Sequence, residues 1–91
     1  MRKTDTNTTL APLTVTIRYF AALREARGLS QETLTTTATT PRDLYADLNA
    51  QYDLSLPTDL LQVAINHRFA DWETPLQPND TVIFIPPVAG G

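Results

Sequence analysis

Thr40 to Tyr52 reads TPRDLYADLNAQY and predicts the one substantial helix of the chain. Thr40 suits an N-cap, Pro41 suits the first helical position, where its missing N–H costs nothing, and Asp43 supplies an acidic group in the first turn. Asp43 stands three residues after Thr40, where a capping box ordinarily carries Glu or Gln. Leu44, Leu48 and Tyr52 recur at i, i+4 and i+8, so one apolar stripe is expected to pack against a sheet.

Strand signals lie on both sides of this helix. Leu13 to Phe20 (LTVTIRYF) alternates, with Val15, Ile17 and Tyr19 on one face and Thr14, Thr16 and Arg18 on the other, the period of a half-buried strand. Ala21 to Arg27 (AALREAR) switches to strong helix formers for about two turns, and Gly28 suits its C-terminal cap. Gln31 to Thr37 (QETLTTT) is β-branched but weakly apolar, an expected edge strand anchored by Leu34. Beyond the main helix, Asp53 to Asp59 reads as a loop around Pro57. Leu61 to Asn66 reads as a strand, and Asn66-His67 as a turn leading into Phe69.

Pro75, Pro78 and Asn79-Asp80 punctuate the next connection. Thr81 to Ile85 (TVIFI) is nearly all apolar, so an interior strand is expected, closed by Pro86-Pro87, which have no N–H for a ladder. The order strand, short helix, strand, long helix, strand, strand predicts an α+β domain whose mixed sheet wraps one main helix. The β-grasp, or ubiquitin-like, arrangement fits best, and the periodicities also admit a ferredoxin-like sandwich.

Composition narrows the possible functions. With 91 residues and no cysteine, the chain is one small domain without disulfides, thiolate metal sites or a Cys nucleophile. A net charge of −3 gives no basic footprint for nucleic acid. No stretch approaches the roughly 20 apolar residues of a membrane span. Met1-Arg2-Lys3 is followed by polar residues, not by an apolar signal core, so the cytoplasm is the expected compartment. Residues 1–12 are Thr-rich and aperiodic and are expected to be a disordered extension. Residues 13–85 form the domain, and 86–91 an extended functional tail.

That tail is the clearest functional signal. Two of the three glycines are the last two residues, an arrangement expected by chance in roughly 0.5% of chains at average glycine usage. They follow Pro86, Pro87, Val88 and Ala89, a stiff segment whose side chains shrink toward the end. At about 3.1 Å per residue, a polyproline-like run would project the terminal carboxylate roughly 18–20 Å beyond Ile85. Such a taper suits a narrow tunnel in a second protein, and glycine lets backbone approach reacting groups closely. A carboxylate is a poor electrophile and requires activation, for which adenylation by ATP supplies a leaving group. Attack by a nucleophile then gives a thioester or a thiocarboxylate. With no thiol elsewhere in the chain, the C-terminus is the candidate carrier of a reactive group.

Arg18-Tyr19-Phe20-Ala21-Ala22-Leu23-Arg24-Glu25, Gly28, Val63-Ala64-Ile65-Asn66, Thr74-Pro75-Leu76, Asn79-Asp80-Thr81-Val82 and the ending Ile85-Pro86-Pro87-Val88-Ala89-Gly90-Gly91 together resemble the small subunit of molybdopterin synthase. The resemblance runs from about Leu13 to Gly91. Asn79 stands where that family usually has Gly, and Asn also tolerates φ > 0. Thr81 stands where Glu is common. The resemblance implies a β-grasp sulfur carrier of molybdenum cofactor biosynthesis, without catalysis of its own.

It further implies that an ATP-dependent activating enzyme, supplying ATP and Mg, adenylates Gly91 through a transient AMP adduct before its conversion to a thiocarboxylate. No cofactor would be held permanently. Pro86, Pro87, Val88, Ala89 and Gly90 would then enter the large synthase subunit. There sulfur would pass to a cyclic pyranopterin monophosphate to build the molybdopterin dithiolene. The family assembly implied is a heterotetramer with the large subunits at its centre.

Phe20, Ile83 and Ile85 are candidates for the partner interface, although core or sheet packing accounts for them better. Arg24 and Glu25 read as a surface pair, Trp72 as an anchor of its loop, and Arg68, Asp71 and Glu73 as loop charges. His67, the single histidine, has no ligand set around it and reads as a turn residue, so no metal site is expected. A carrier for another pathway such as thiamine synthesis, or a ubiquitin-like modifier joined to lysines through Gly91, are the alternative functions.

Overall fold

The computed structural model describes residues 12–87. The expected extension (all but Pro12) and the end of the expected tail, 88–91, lie outside the described residues. Within them the chain runs β1 (Leu13–Tyr19), α1 (Ala21–Arg27), β2 (Gln31–Thr36), α2 (Pro41–Tyr52), a single 3-10 turn (Thr58–Leu60), β3 (Gln62–Ile65), β4 (Arg68–Ala70) and β5 (Thr81–Ile85). The strands form one mixed sheet in the order β2-β1-β5-β3-β4. β1 and β5 are parallel neighbours at its centre, and every other pairing is antiparallel. First and last strands side by side, with α2 on one face, make this the β-grasp arrangement. The parallel central pair excludes the ferredoxin-like alternative.

Local chemistry explains each element. The Thr40 hydroxyl accepts a hydrogen bond from the Asp43 N–H at 3.2 Å, and Pro41 begins α2. The reciprocal half of a capping box is missing, because the Asp43 carboxylate accepts from Thr39 Oγ1 at 3.4 Å. α2 ends at Asp53, whose left-handed backbone (φ 52°) returns its N–H to the Asn49 carbonyl. Gly28 ends α1 in the same way with φ 82°, a conformation glycine adopts without steric cost.

The core lies between the sheet and α2. Val15, Ile17 and Tyr19 of β1 and Val82 and Phe84 of β5 point into it, against Leu44, Tyr45 and Leu48. Leu34 is half-buried beside this cluster. Trp72 stacks on Phe84 (centroids 5.8 Å apart, 11° between planes), and Tyr45 meets both rings edge-on at 6.1 and 5.1 Å. Each such pair contributes about 0.5–1.5 kcal/mol beyond its buried area, so Trp72 does anchor its loop.

Several expectations need correcting. Tyr52 is 37% exposed and is not part of the buried stripe, where Tyr45 takes its place. The segment Asp53 to Asp59 is not all loop, since the 3-10 turn begins at Thr58. A fifth strand, β4, pairs with β3 where only a turn into Phe69 was expected. Arg68 therefore lies in a strand, and Glu73 pairs with Arg42. Arg24 and Glu25 are both exposed and form no ion pair among the described residues; adjacent helical residues do not face each other. His67 does occupy the turn, with φ 72° beside Asn66 at 54°, and Asn79 adopts φ 69°.

Candidate functional site

Everything expected of the tail depends on where β5 delivers it. β5 is hydrogen-bonded on both sides, so the strand leading to Pro86 has no free edge. Its start is fixed by a side-chain clamp. The buried Asp80 carboxylate accepts from Asn66 Nδ2 and from the Gln77 N–H, both at 2.8 Å, and Asn66 Oδ1 accepts the Thr81 N–H at 2.9 Å. The β3–β4 turn is thereby tied to the first residue of β5.

At the other end, Ile85 pairs with Gln62, and Pro86 is buried while Pro87 is exposed. A groove of about 430 Å³ opens there, lined by Asp59, Leu60, Leu61, Gln62, Ile85, Pro86 and Pro87. The register that sets Tyr19 opposite Phe84 brings Phe20, the residue that follows β1, level with Ile85. The chain therefore leaves the sheet between Phe20 on one side and Leu60 on the other, which are 39% and 52% exposed.

The sheet face opposite α2 continues this apolar surface. Side chains alternate across a strand, so Ile83 and Ile85 point away from the core that holds Val82 and Phe84. Ile83 lies between Arg18 of β1 and Ala64 of β3, and Ala64 faces Phe69 of β4. Ile83 is only 6% exposed, whereas Phe69 is 75% exposed. The Arg18 guanidinium lies 5.2 Å from the centre of the Phe20 ring, a cation over an aromatic face.

Of the three residues predicted for a partner surface, Phe20 and Ile85 thus sit at the tail exit and Ile83 in the middle of the sheet. Phe69, Ala64 and Leu60 belong to the same surface and were missed by sequence reasoning. The alternation Val63-in, Ala64-out was readable, but its partner Phe69 becomes visible only once β4 is known. No described group of three or more His, Asp or Glu could hold a metal ion, and no described helix is long and apolar enough to cross a membrane.

The shifted ionisable groups serve the frame. The Arg27 guanidinium, hydrogen-bonded to Glu32, holds that carboxyl below its ordinary range against the opposing cost of burial. Burial raises the Tyr19 phenol, and its hydrogen bond to Glu32 raises it further. Burial also raises Tyr45, whose hydroxyl donates to the Leu56 carbonyl at 2.6 Å. Each of these groups already has a partner, so none is poised for chemistry on a substrate. What the described site offers is an apolar surface around the point where β5 gives way to Pro86 and Pro87.

Known proteins resemble this chain in sequence and in fold. The chain is 31% identical over 80 residues to the molybdopterin synthase sulfur carrier subunit of Escherichia coli K12, covering 85% of this chain and 99% of that protein. It superposes on a chain of the Helicobacter pylori 26695 complex of subunits 1 and 2 of molybdopterin-converting factor with a TM-score of 0.61 and 28% identity. That match covers 87% of this chain and all of the other. Small archaeal modifier protein 1 of Methanosarcina acetivorans matches with a TM-score of 0.71 and 24% identity, covering 89% and 99% of the two chains, a likeness of fold. Residues 17–91 match the model of the ThiS family, and the chain belongs to that family.

Proposed function

We propose that this protein is a sulfur carrier of molybdenum cofactor biosynthesis, the non-catalytic small subunit of a molybdopterin synthase. The observation that carries the reading is the 31% identity to a molybdopterin synthase sulfur carrier subunit over nearly that protein's whole length. The sequence ending PPVAGG, directly after the central strand, supports it.

The chemistry then follows from the carboxylate of Gly91. A separate activating enzyme joins it to AMP from ATP, with release of pyrophosphate. A sulfur nucleophile displaces AMP and leaves a thiocarboxylate. Pro86, Pro87, Val88, Ala89 and Gly90 carry this group into the large subunit, where the sulfur passes to a cyclic pyranopterin monophosphate and water restores the carboxylate. A dithiolene holds two sulfurs and each tail carries one, so two loaded carriers are consumed per product. The face of Phe20, Ile83 and Ile85 seats the large subunit. No cofactor resides on the carrier, and its AMP adduct is transient.

Intact-mass analysis of protein from its native host tests this directly. A fraction with one terminal oxygen replaced by sulfur, lost on deletion of Gly91 together with molybdoenzyme activity, is the expected result. Molybdoenzyme activity persisting in cells that hold only the Gly91 deletion would overturn it. Conjugates to lysine without any thiocarboxylate would favour a protein modifier instead.

A further inference from the structure

The two edges of the sheet differ in a way that the carrier reading does not use. β4 is three residues long and contains Arg68, whereas β2 runs for six residues, and its one charged side chain, Glu32, turns inward to Arg27 and Tyr19. Natural edges are usually guarded by Lys, Pro, a bulge or shortness. β2 has none of these, and among the described residues no strand covers its outer side.

Its free hydrogen-bonding groups can be assigned. The Tyr19 N–H donates to the Ser30 carbonyl at 2.9 Å, and antiparallel pairing alternates. Glu32, Leu34 and Thr36 therefore spend their backbone groups on β1. Gln31, Thr33 and Thr35 direct theirs outward.

We infer that β2 pairs antiparallel with β2 of a second copy of this chain, centred on Leu34, forming a weak two-fold dimer with a continuous ten-stranded sheet. Register selects this occupant. With Leu34 opposite its own copy, Thr33 of each chain faces Thr35 of the other, and these two pairs exchange four main-chain hydrogen bonds. The hydroxyl rows already formed on that face, Thr16 with Thr33 at 3.0 Å and Thr14 with Thr35 at 3.4 Å, then run on into the second chain. Glu32 faces Thr36, so the two carboxylates stay apart. Shifting the centre to Glu32 would oppose like charges, and shifting it to Thr33 would set Leu34 against a carboxylate.

Leu34 is the only apolar side chain of β2, and it is half-buried. Pairing it with its copy removes its remaining exposed surface from water. A groove of about 470 Å³ between β2 and α2, lined by Leu34, Leu44, Leu48, Asp47 and Gln51 among others, leaves room for the inward side chains of the added strand. β2 offers six residues where a standard interface uses roughly 20–30 a side, so association is weak. The pairing uses the edge away from β3 and β4.

Sedimentation equilibrium of the full chain at concentrations up to the order of 1 mM tests the pairing. The apparent mass should climb from 10.1 kDa toward twice that value. Thr33→Pro removes an outward N–H, along with the exposed hydroxyl contact to Thr16, and should hold the mass at the monomer value, with the fold checked by circular dichroism. Leu34→Lys, which sets two ammonium groups against each other on the axis, should do the same. Because the chain has no cysteine, single-cysteine variants report register. Leu34→Cys should oxidise to a covalent dimer, while Thr33→Cys and Thr35→Cys should not pair with their own copies. A wild-type mass that stays monomeric throughout, a mass rise unchanged in both Thr33→Pro and Leu34→Lys, or self-pairing at 33 or 35 in preference to 34 would overturn the inference.

Discussion

Arg27, the last residue of α1, grips the Glu32 carboxylate of β2 through both oxygens, Nε to Oε2 at 2.9 Å and Nη2 to Oε1 at 2.8 Å. Tyr19 donates its hydroxyl to the same Oε2 at 2.6 Å, and the Arg27 guanidinium lies 3.7 Å above the Tyr52 ring. One cation thus joins the short helix, the edge strand and the end of the long helix. Both partners of the ion pair are largely shielded from water, so this pair matters more than an exposed one.

Glu32 titrates below its ordinary value in the folded chain. Its contribution is therefore complete above the unfolded value of about 4.5 and is lost as pH falls through the folded value. Glu32→Gln should destabilise the protein by about 1–3 kcal/mol at neutral pH. In urea titrations its deficit against the wild type should close on acidification. A deficit that does not change with pH would contradict this.

Tyr19 and Tyr45 both titrate above the ordinary phenol value, chiefly through burial. For an acid raised in this direction, stability is complete below the unfolded value near 10 and falls as pH rises beyond it. Tyrosinate absorbance should show both phenols still protonated near pH 10 and ionising together with loss of the fold. Ionisation of both near pH 10 with the circular dichroism unchanged would refute the assignment.

Thr40 caps α2 by one hydroxyl. Replacing it with Ala should cost about 1 kcal/mol, and replacing it with Ser much less, read as the shift in thermal midpoint. Equal losses for the two would mean that the hydroxyl is not the stabilising group.

Asp80→Ala strips the acceptor from Asn66 Nδ2 and the Gln77 N–H, at a cost of about 1–3 kcal/mol. Hydrogen exchange should show faster exchange at Gln77 and at Thr81, whose partner Asn66 is no longer held. Unchanged exchange at both amides would show that the clamp does not fix the start of β5.

Phe69 is mostly solvent-exposed, so Phe69→Glu should change stability by no more than about 0.5 kcal/mol. If the face opposite α2 seats the large synthase subunit, the same change should weaken association about tenfold or more. Calorimetry with the large subunit measures it, and wild-type affinity would place the contact elsewhere.

Much of this architecture was written locally. The alternation of Val15, Ile17 and Tyr19, the Thr40-Pro41 start and the Gly28 stop each act within a few residues, and each formed the expected element. Tyr52 failed because of its place along the helix and not because of rotation. At 3.6 residues per turn it lies about 80° from Leu44, within the arc that Leu44 and the buried Tyr45 span. It is the last residue of α2, and its ring lies under the Arg27 guanidinium instead of in the core. β4 was hidden because its turn sets His67 at positive φ where glycine is the usual cue. The terminal glycines were legible as letters. The apolar surface of the sheet was not, because Ala64, Ile83 and Phe69 become neighbours only through strand register.

β5 lies between β1 and β3, with the tail at its far end. A force drawing on Pro87 acts along the strand. It loads the ladders on both sides in shear, so their hydrogen bonds must yield together and not one after another as in peeling an edge. If the proposed function holds and the tail is inserted into a partner and withdrawn at each cycle, the pull falls on a strand held along both sides and not on an edge strand.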